Sequence, residues 1–134
     1  MNNSPHIDPL LTKIYNLLYR LGVRARTLGF FEASCAIFLV MKNPERLERS
    51  VRDVYHEIAE VYHIDADSID SHIRHLIRVI WVKKPPFLRE ILGDGTPLNQ
   101  YPSPKRFIGI LCRYLNAESD HHHGDFSRDA RNTI

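Results

Sequence analysis

Apolar residues recur at intervals of three and four along most of the chain, which is the spacing of an amphipathic α-helix. Six segments have this spacing, and each is bounded by residues that cap or interrupt helices. The predicted helices cover residues 8–21, 27–42, 45–62, 67–82, 87–92 and 103–115. No segment alternates convincingly between apolar and polar residues, so we predict no β-strand. The pattern therefore predicts an all-α domain of six helices.

The ends of these segments carry residues that usually start or stop a helix. Asp8 and Pro9 open the first helix, because an acidic cap and a proline ring with helical φ both favour a helix start. Gly22 ends that helix, and Asn43 with Pro44 interrupts the chain after the second. The residues predicted to be buried on the third and fourth helices are Leu47, Val51, Val54, Ile58, Tyr62, Ile69, Ile73, Leu76, Ile77 and Ile80.

The same pattern divides the chain into three parts. Residues 1–7 are an N-terminal extension, and residues 8–116 form the helical domain. From Ala117 the apolar periodicity disappears, so we expect residues 117–134 to be a flexible polar tail outside the core.

The segment from Tyr55 to Trp81 has the pattern of a helix-turn-helix. This motif packs two helices at a steep angle, so it needs a small residue where they cross and apolar residues around it. Ala59 is the small residue, and His63 stands near the place in the turn where glycine is usual. The supporting apolar positions are Ile58, Tyr62, Ile64 and Ile69. Unrelated helix pairs also satisfy this spacing, so the segment is either a helix-turn-helix or an ordinary pair of packed helices.

The fourth predicted helix has a polar face opposite its isoleucines. At about 100° per residue, the outward side chains are Asp67, Ser68, Ser71, Arg74, His75 and Arg78. In a DNA reader this face enters the major groove, where serines bond base edges and arginines reach guanine or phosphate. Asp70, nearer the flank, could accept from a cytosine amino group, and the helix N-terminus could hold a phosphate. The alternative is the solvated face of an ordinary amphipathic helix.

Basic residues are concentrated around the predicted helix-turn-helix. Residues 20–52 contain seven Lys and Arg against three Glu, in a chain of formal net charge +2. The basic side chains expected to flank the polar helix and meet phosphates are Arg24, Arg46, Arg49, Arg52, Lys83 and Lys84. Because Asp67 and Asp70 offset Arg74 and Arg78 on the helix itself, we expect modest, salt-sensitive DNA affinity. A solvated surface is again the alternative.

Length and composition are those of one globular domain. The chain has 134 residues, 43% apolar and 25% charged, which excludes a wholly disordered protein. No stretch reaches the roughly 18 apolar residues of a membrane span, and the N-terminus does not resemble a signal peptide. Cys35 and Cys112 lie in apolar helical patterns, as reduced core thiols do. We therefore expect a cytoplasmic protein that does not enter a membrane.

No residue pattern indicates a metal site or an enzyme. His72 and His75 are three residues apart, but no Cys–His set has zinc-finger spacing. His56 and Glu57 are not followed by the second histidine of a zinc-protease motif, and no glycine-rich phosphate loop is present. We expect no cofactor, no metal and no enzymatic activity.

Several short segments between about Leu11 and Leu115 together match the pattern of one known family. These segments are Leu21-Gly22-Val23, Gly29-Phe30, Ile58-Ala59 with Tyr62, Ile73-Arg74-His75 followed by Val79 and Trp81, and Pro102 with Phe107-Ile108. In them the chain resembles the C-terminal DNA-binding effector domain of stage 0 sporulation protein A. The resemblance implies a six-helix, winged-helix-like response-regulator effector domain that binds a short double-stranded DNA element, often as tandem copies, and regulates transcription at sporulation.

The resemblance also implies roles for individual residues. The family's recognition helix presents two arginines and an acidic residue near its start, then an Arg-His pair. In this chain the arginine positions are occupied by Ser68 and Ser71, the acidic one by Asp70, and the pair by Arg74 and His75. A bidentate arginine–guanine contact contributes about 1–3 kcal/mol of discrimination, so we expect changed or weaker sequence reading. The Arg-His pair, which serves mainly the DNA backbone, should still position the domain.

Two further expectations concern regulation and partners. The residues before Asp8 are too few for the family's receiver domain, so this is either a stand-alone paralogue or the effector part of a longer protein. The family's contact with the RNA polymerase sigma subunit maps to about Lys84–Tyr101, which is shorter and proline-rich here.

The loss of two arginines supports an alternative function, an interaction module that modulates a full-length regulator or the polymerase. A homodimer on tandem sites, and a subunit contact by the last helix around Phe107–Leu115, also stay open, with core packing favoured for that helix.

Overall fold

The computed structural model describes the backbone of residues 8–133 and the side chains of residues 8–119. Within that range the chain is helical and contains no β-strand. The seven helices are α1 (Pro9–Arg20), α2 (Phe30–Lys42), α3 (Glu45–Arg49), α4 (Val51–Tyr62), α5 (Ala66–Lys83), α6 (Pro86–Leu92) and α7 (Pro104–Thr133). The all-α class is confirmed, with one helix more than predicted.

The second helix occupies the centre of the fold. It packs against α1, α3, α4, α5 and α7, and its sequence FFEASCAIFLVMK is apolar on nearly every side. A helix that is apolar all round is stable only when other elements cover it. Its buried residues are Phe30, Glu32, Ala33, Ser34, Ala36, Ile37 and Val40. The other helices are amphipathic and form a shell around it.

The predicted third helix is divided in two at Ser50. Ser50 has an extended backbone, with φ −172° and ψ 137°, and ends α3. Its hydroxyl accepts a hydrogen bond from the Arg52 amide at 3.1 Å, which is the geometry of an N-cap for α4. Apolar spacing continues from Leu47 through Val51, so periodicity alone did not reveal the break. The prediction of one helix over residues 45–62 was wrong for this reason.

Tyr62 is not buried, contrary to the predicted stripe. Its side chain is 50% exposed and forms an edge-to-face contact with Phe31, which is 44% exposed. The other members of the stripe are buried or half-buried. Tyr62 is the last residue of α4, where the helix leaves the core to enter the turn.

The last helix continues beyond the predicted end near Leu115. Apolar periodicity reports burial, and the backbone stays helical after the buried residues end. Phe107, Ile108, Leu111 and Leu115 of α7 are buried in the core. The prediction of core packing for this helix is confirmed. Residues 1–7 lie outside the described residues, as do the side chains of most of the predicted tail.

Candidate nucleic-acid interface

A tight turn joins α4 to α5 and sets their angle. His63 adopts a left-handed conformation, with φ 57° and ψ 43°, at the position where glycine is usual. The amides of His63 and Ile64 both donate to the carbonyl of Ala59, which closes the end of α4. Asp65 then caps α5 by accepting from the Ser68 amide at 3.1 Å. These contacts build the predicted helix-turn-helix.

The fifth helix is divided sharply into a buried face and an exposed face. Its buried side chains are Ile69, Ile73, Leu76, Ile77, Ile80 and Trp81. Ser71, Arg74 and Arg78 are exposed, and His75 is half-buried beside them. At about 100° per residue, the four side chains share one side of the helix. We call this set the polar face.

The N-terminal end of α2 fixes α5 from one side. A Cβ on Gly29 would lie 2.1 Å from the carbonyl oxygen of His72, so only glycine allows this approach. Its φ of +93° also favours glycine. Three residues further on, the buried Glu32 carboxylate contacts Nδ1 of His72 at 2.5 Å. Because this pair bridges 40 residues of sequence, it sets the position of α5 relative to the core.

Two ion pairs involve the acidic residues in the N-terminal half of α5. Arg74 Nε donates to Asp70 at 2.7 Å, one helical turn earlier. Arg52 of α4 donates to Asp67 at 3.2 Å, with both side chains largely exposed. Below them, burial and then the negative charge of Asp70 raise the pKa of the buried Tyr55 phenol. The acidic residues of α5 therefore neutralise part of the local positive charge, as the sequence predicts.

The remaining predicted site residues lie at the two ends of α5. Ser68 and Asp70 are half-buried in its first turns, so both are less accessible than Ser71. Lys83 is exposed, but its ammonium donates to the carbonyl of Gly22 at 3.2 Å. Lys84 is exposed and ends the helix in a left-handed conformation, with φ 48°.

Only some of the basic side chains that were predicted to flank α5 are free to meet phosphates. The Arg46 guanidinium donates to Glu57 and to the carbonyl of Leu39, both at 2.8 Å, so it supports the packing of α3 and does not face solvent as expected. Arg24 and Arg49 are exposed, as is Arg26, which the sequence analysis did not place at the interface. Neither the position of Arg26 beside α5 nor the Glu32–His72 contact could be predicted from local sequence, because both depend on how distant segments pack together.

Across residues 8–119, no group of three or more His, Cys, Asp and Glu side chains is arranged to hold a metal ion. No helix in the described part of the chain has the length and apolar character that crossing a membrane requires.

A helix-turn-helix that buries one face of its second helix and exposes a polar one is the arrangement found in all-α DNA-binding domains. Residues 14–115 match the family model described as "Sporulation initiation factor Spo0A C terminal". The chain therefore belongs to the family of Spo0A C-terminal domains, which are DNA-binding domains that regulate transcription at sporulation initiation. The family resemblance identified from the sequence is confirmed.

Proposed function

We propose that this domain is a sequence-specific transcriptional regulator that places α5 in the major groove of double-stranded DNA. The observation that carries the proposal is the polar face itself: Ser71, Arg74, His75 and Arg78 are presented by a helix whose opposite side is buried. Such a helix holds its side chains in fixed positions, which base and phosphate recognition requires.

The positions of these side chains along α5 favour base contacts at one end of the polar face and phosphate contacts at the other. Ser71 lies in the first half of the helix, where recognition helices touch base edges. Arg74, His75 and Arg78 follow and can reach phosphates on either side of the groove. Because Asp65 already caps Ser68, the helix N-terminus offers fewer free amides to a phosphate than an uncapped helix. Affinity therefore depends on side chains more than on the helix end.

Arg74→Ala tests the proposal directly. Since Arg74 contacts the DNA backbone in this arrangement, the substitution lowers affinity on every duplex by a similar factor. It also reduces the slope of log K against log salt by roughly 0.9, the value for one phosphate contact. Fluorescence anisotropy of a labelled duplex, titrated at several salt concentrations, measures both quantities.

The matched control for Arg74→Ala is Arg113→Ala. Arg113 is also an exposed arginine, and it lies on α7, whose Phe107 contacts Trp81 near the C-terminal end of α5. Arg113→Ala should leave the salt slope unchanged. If the wild-type domain binds no duplex even at low salt, the DNA-binding proposal is wrong.

Two partners extend this proposal. We infer that the segment from about Lys84 to Tyr101, which takes the place of the family's sigma contact, contacts the RNA polymerase sigma subunit. Its loop is mostly exposed, and Arg89 holds the shape of that loop. The Arg89 guanidinium donates to the carbonyls of Asp94 and Thr96, at 3.1 and 2.6 Å. We infer also that two copies bind tandem elements. Footprints with and without polymerase test both inferences on one DNA fragment.

An interaction module without DNA reading is the second candidate function. Leu28, Phe31 and Tyr62 are each about half exposed, and the last two rings pack against each other on the surface. Exposed aromatic side chains are typical of protein interfaces. Phe31→Ser with Tyr62→Ser would disrupt such a contact and leave DNA affinity intact. This candidate replaces the first if no duplex binds at low salt.

A further inference from the structure

The turn between α1 and α2, residues 22–28, follows one flank of the recognition helix. At its start, the Gly22 carbonyl accepts from Lys83 Nζ at the C-terminal end of α5. Immediately after it, Gly29 lies against the backbone of His72 near the other end. Eleven residues separate Lys83 from His72 on α5, or about 16 Å along the axis. The turn therefore runs antiparallel to most of α5. We call it the basic turn, after Arg24 and Arg26.

The basic turn and α4 lie on opposite sides of the polar face. At about 100° per residue, His72, Val79 and Lys83 share one sector of α5, next to His75. Asp70 lies on the other side, where its charge reaches Tyr55 of α4. The polar face is thus bordered by α4 on one flank and by the basic turn on the other.

The basic turn is a built structure. Val23 is buried, with 1% of its surface exposed, and anchors the start. The Thr27 hydroxyl accepts from the Arg24 amide at 3.1 Å, and the Thr27 amide donates to the Arg24 carbonyl at 2.8 Å. The Phe30 amide donates to the Thr27 carbonyl at 3.0 Å and joins the turn to α2. Arg24 and Arg26 are therefore held on a fixed backbone.

Arg24 and Arg26 differ in their partners from the three arginines near the interface that form ion pairs. Both are exposed, and within residues 8–119 neither takes part in an ion pair. Arg46, Arg52 and Arg74, in contrast, each contact a carboxylate. The basic turn therefore carries two positive charges that the described part of the protein leaves uncompensated.

We infer that Arg24 and Arg26 bind phosphates of the DNA strand on the far side of the groove from α4. A helix in the major groove lies between two phosphate backbones, and the preceding helix of the motif crosses one of them. The element on the opposite flank then faces the other backbone. Guanidinium groups suit this role because they form paired hydrogen bonds with phosphate oxygens. The inference rests on the proposed DNA-binding function and adds a second contact region to it.

The double substitution Arg24→Ala/Arg26→Ala tests the inference. Loss of two phosphate contacts lowers the salt slope by about 1.8. Between about 50 and 200 mM salt, the wild-type protein should then lose roughly tenfold more affinity than the variant. The probe is a labelled duplex of fixed sequence, and a second duplex of unrelated sequence should give the same change in slope. Arg24→Lys/Arg26→Lys should retain the wild-type slope.

The control is Lys105→Ala/Arg113→Ala, which removes the same charge from exposed positions on α7. If both double variants change the slope equally, the effect is one of net charge and the basic turn is not a contact. An unchanged slope for the basic-turn variant, with a reduced slope for Arg74→Ala, overturns this inference and leaves the proposed function standing. Failure of the wild-type protein to bind either duplex overturns both. Thermal melts establish that each variant is folded.

Discussion

At the scale of single residues, α5 matches the family pattern that the resemblance implies at some positions and departs from it at two others. Arg74 and His75 occupy the positions of the Arg-His pair to which the resemblance assigns contact with the DNA backbone. Ser68 and Ser71 occupy the places of the two arginines, and the structure makes them unequal, because Ser68 is half-buried and Ser71 is exposed. A serine hydroxyl offers one donor and two acceptor positions to a base edge, whereas an arginine fork selects guanine.

Restoring arginine at Ser68 and Ser71 together should strengthen binding to the family's usual element. Each bidentate contact contributes about 1–3 kcal/mol of discrimination, so affinity for that element should rise at least tenfold over an unrelated duplex. Competition between the two duplexes measures the ratio. Ser71→Arg alone should provide most of the gain, since Ser71 is the more exposed. An unchanged ratio in the double variant would mean that α5 is not placed in the groove as proposed.

At the scale of elements, the position of α5 depends on a close approach to the start of α2. Gly29 permits the backbone contact, and the Glu32–His72 pair secures it one turn later. A buried carboxylate is costly unless it is paired, so this pair can persist only while the two helices stay in register. The polar face is thus positioned by a helix that carries none of its residues.

Gly29→Ala should destabilise the domain by about 3 kcal/mol, since it combines a strained φ with overlap against the His72 carbonyl. Gly22→Ala is the matched comparison. Gly22 has a similar φ, of +90°, but its added Cβ would meet only the Lys83 side chain at an ordinary 3.8 Å. We expect a loss of about 1–2 kcal/mol there. Urea unfolding midpoints measure both. Equal losses would show that the close approach is not the cause.

At the scale of the whole molecule, the packing of helices around α2 raises the pKa of two cysteine thiols. Cys112 is buried on α7, and Cys35 is half-buried on α2. Burial raises the pKa of the Cys112 thiol to about 12. Burial, followed by the nearby charge of Glu32, raises the pKa of Cys35 to about 11. Both are free, as the sequence predicts for core thiols.

The raised pKa values of the two thiols predict a loss of stability at alkaline pH. The unfolded thiols lose their protons near pH 9, whereas the folded ones keep them to about pH 11. The unfolded state therefore binds fewer protons in that window, and the free energy of unfolding falls as pH rises. Urea midpoints between pH 8 and 10 measure the slope. Cys35→Ala/Cys112→Ala should flatten it, and an equally steep slope in that variant would assign the loss to other groups.

Much of the fold was predictable because its signals are local. The helix starts at Asp8 and Pro9 and the buried stripe of α5 both follow from residues close together in sequence. The break at Ser50 and the exposure of Tyr62 were not predictable, because apolar spacing continues through both positions. The break occurs where the Ser50 hydroxyl caps α4, and the exposure of Tyr62 depends on where α4 leaves the core.

The sequence by itself determined the all-helical class, the two faces of α5 and the family to which the chain belongs. Only the tertiary structure decided which charges are available at the interface. It joins Glu32 to His72 across 40 residues and Lys83 to Gly22 across 61, and it withdraws Arg46 into contact with Glu57. The physical reason is range: capping and periodicity act within a few residues, whereas these pairs form only when packing brings distant segments together.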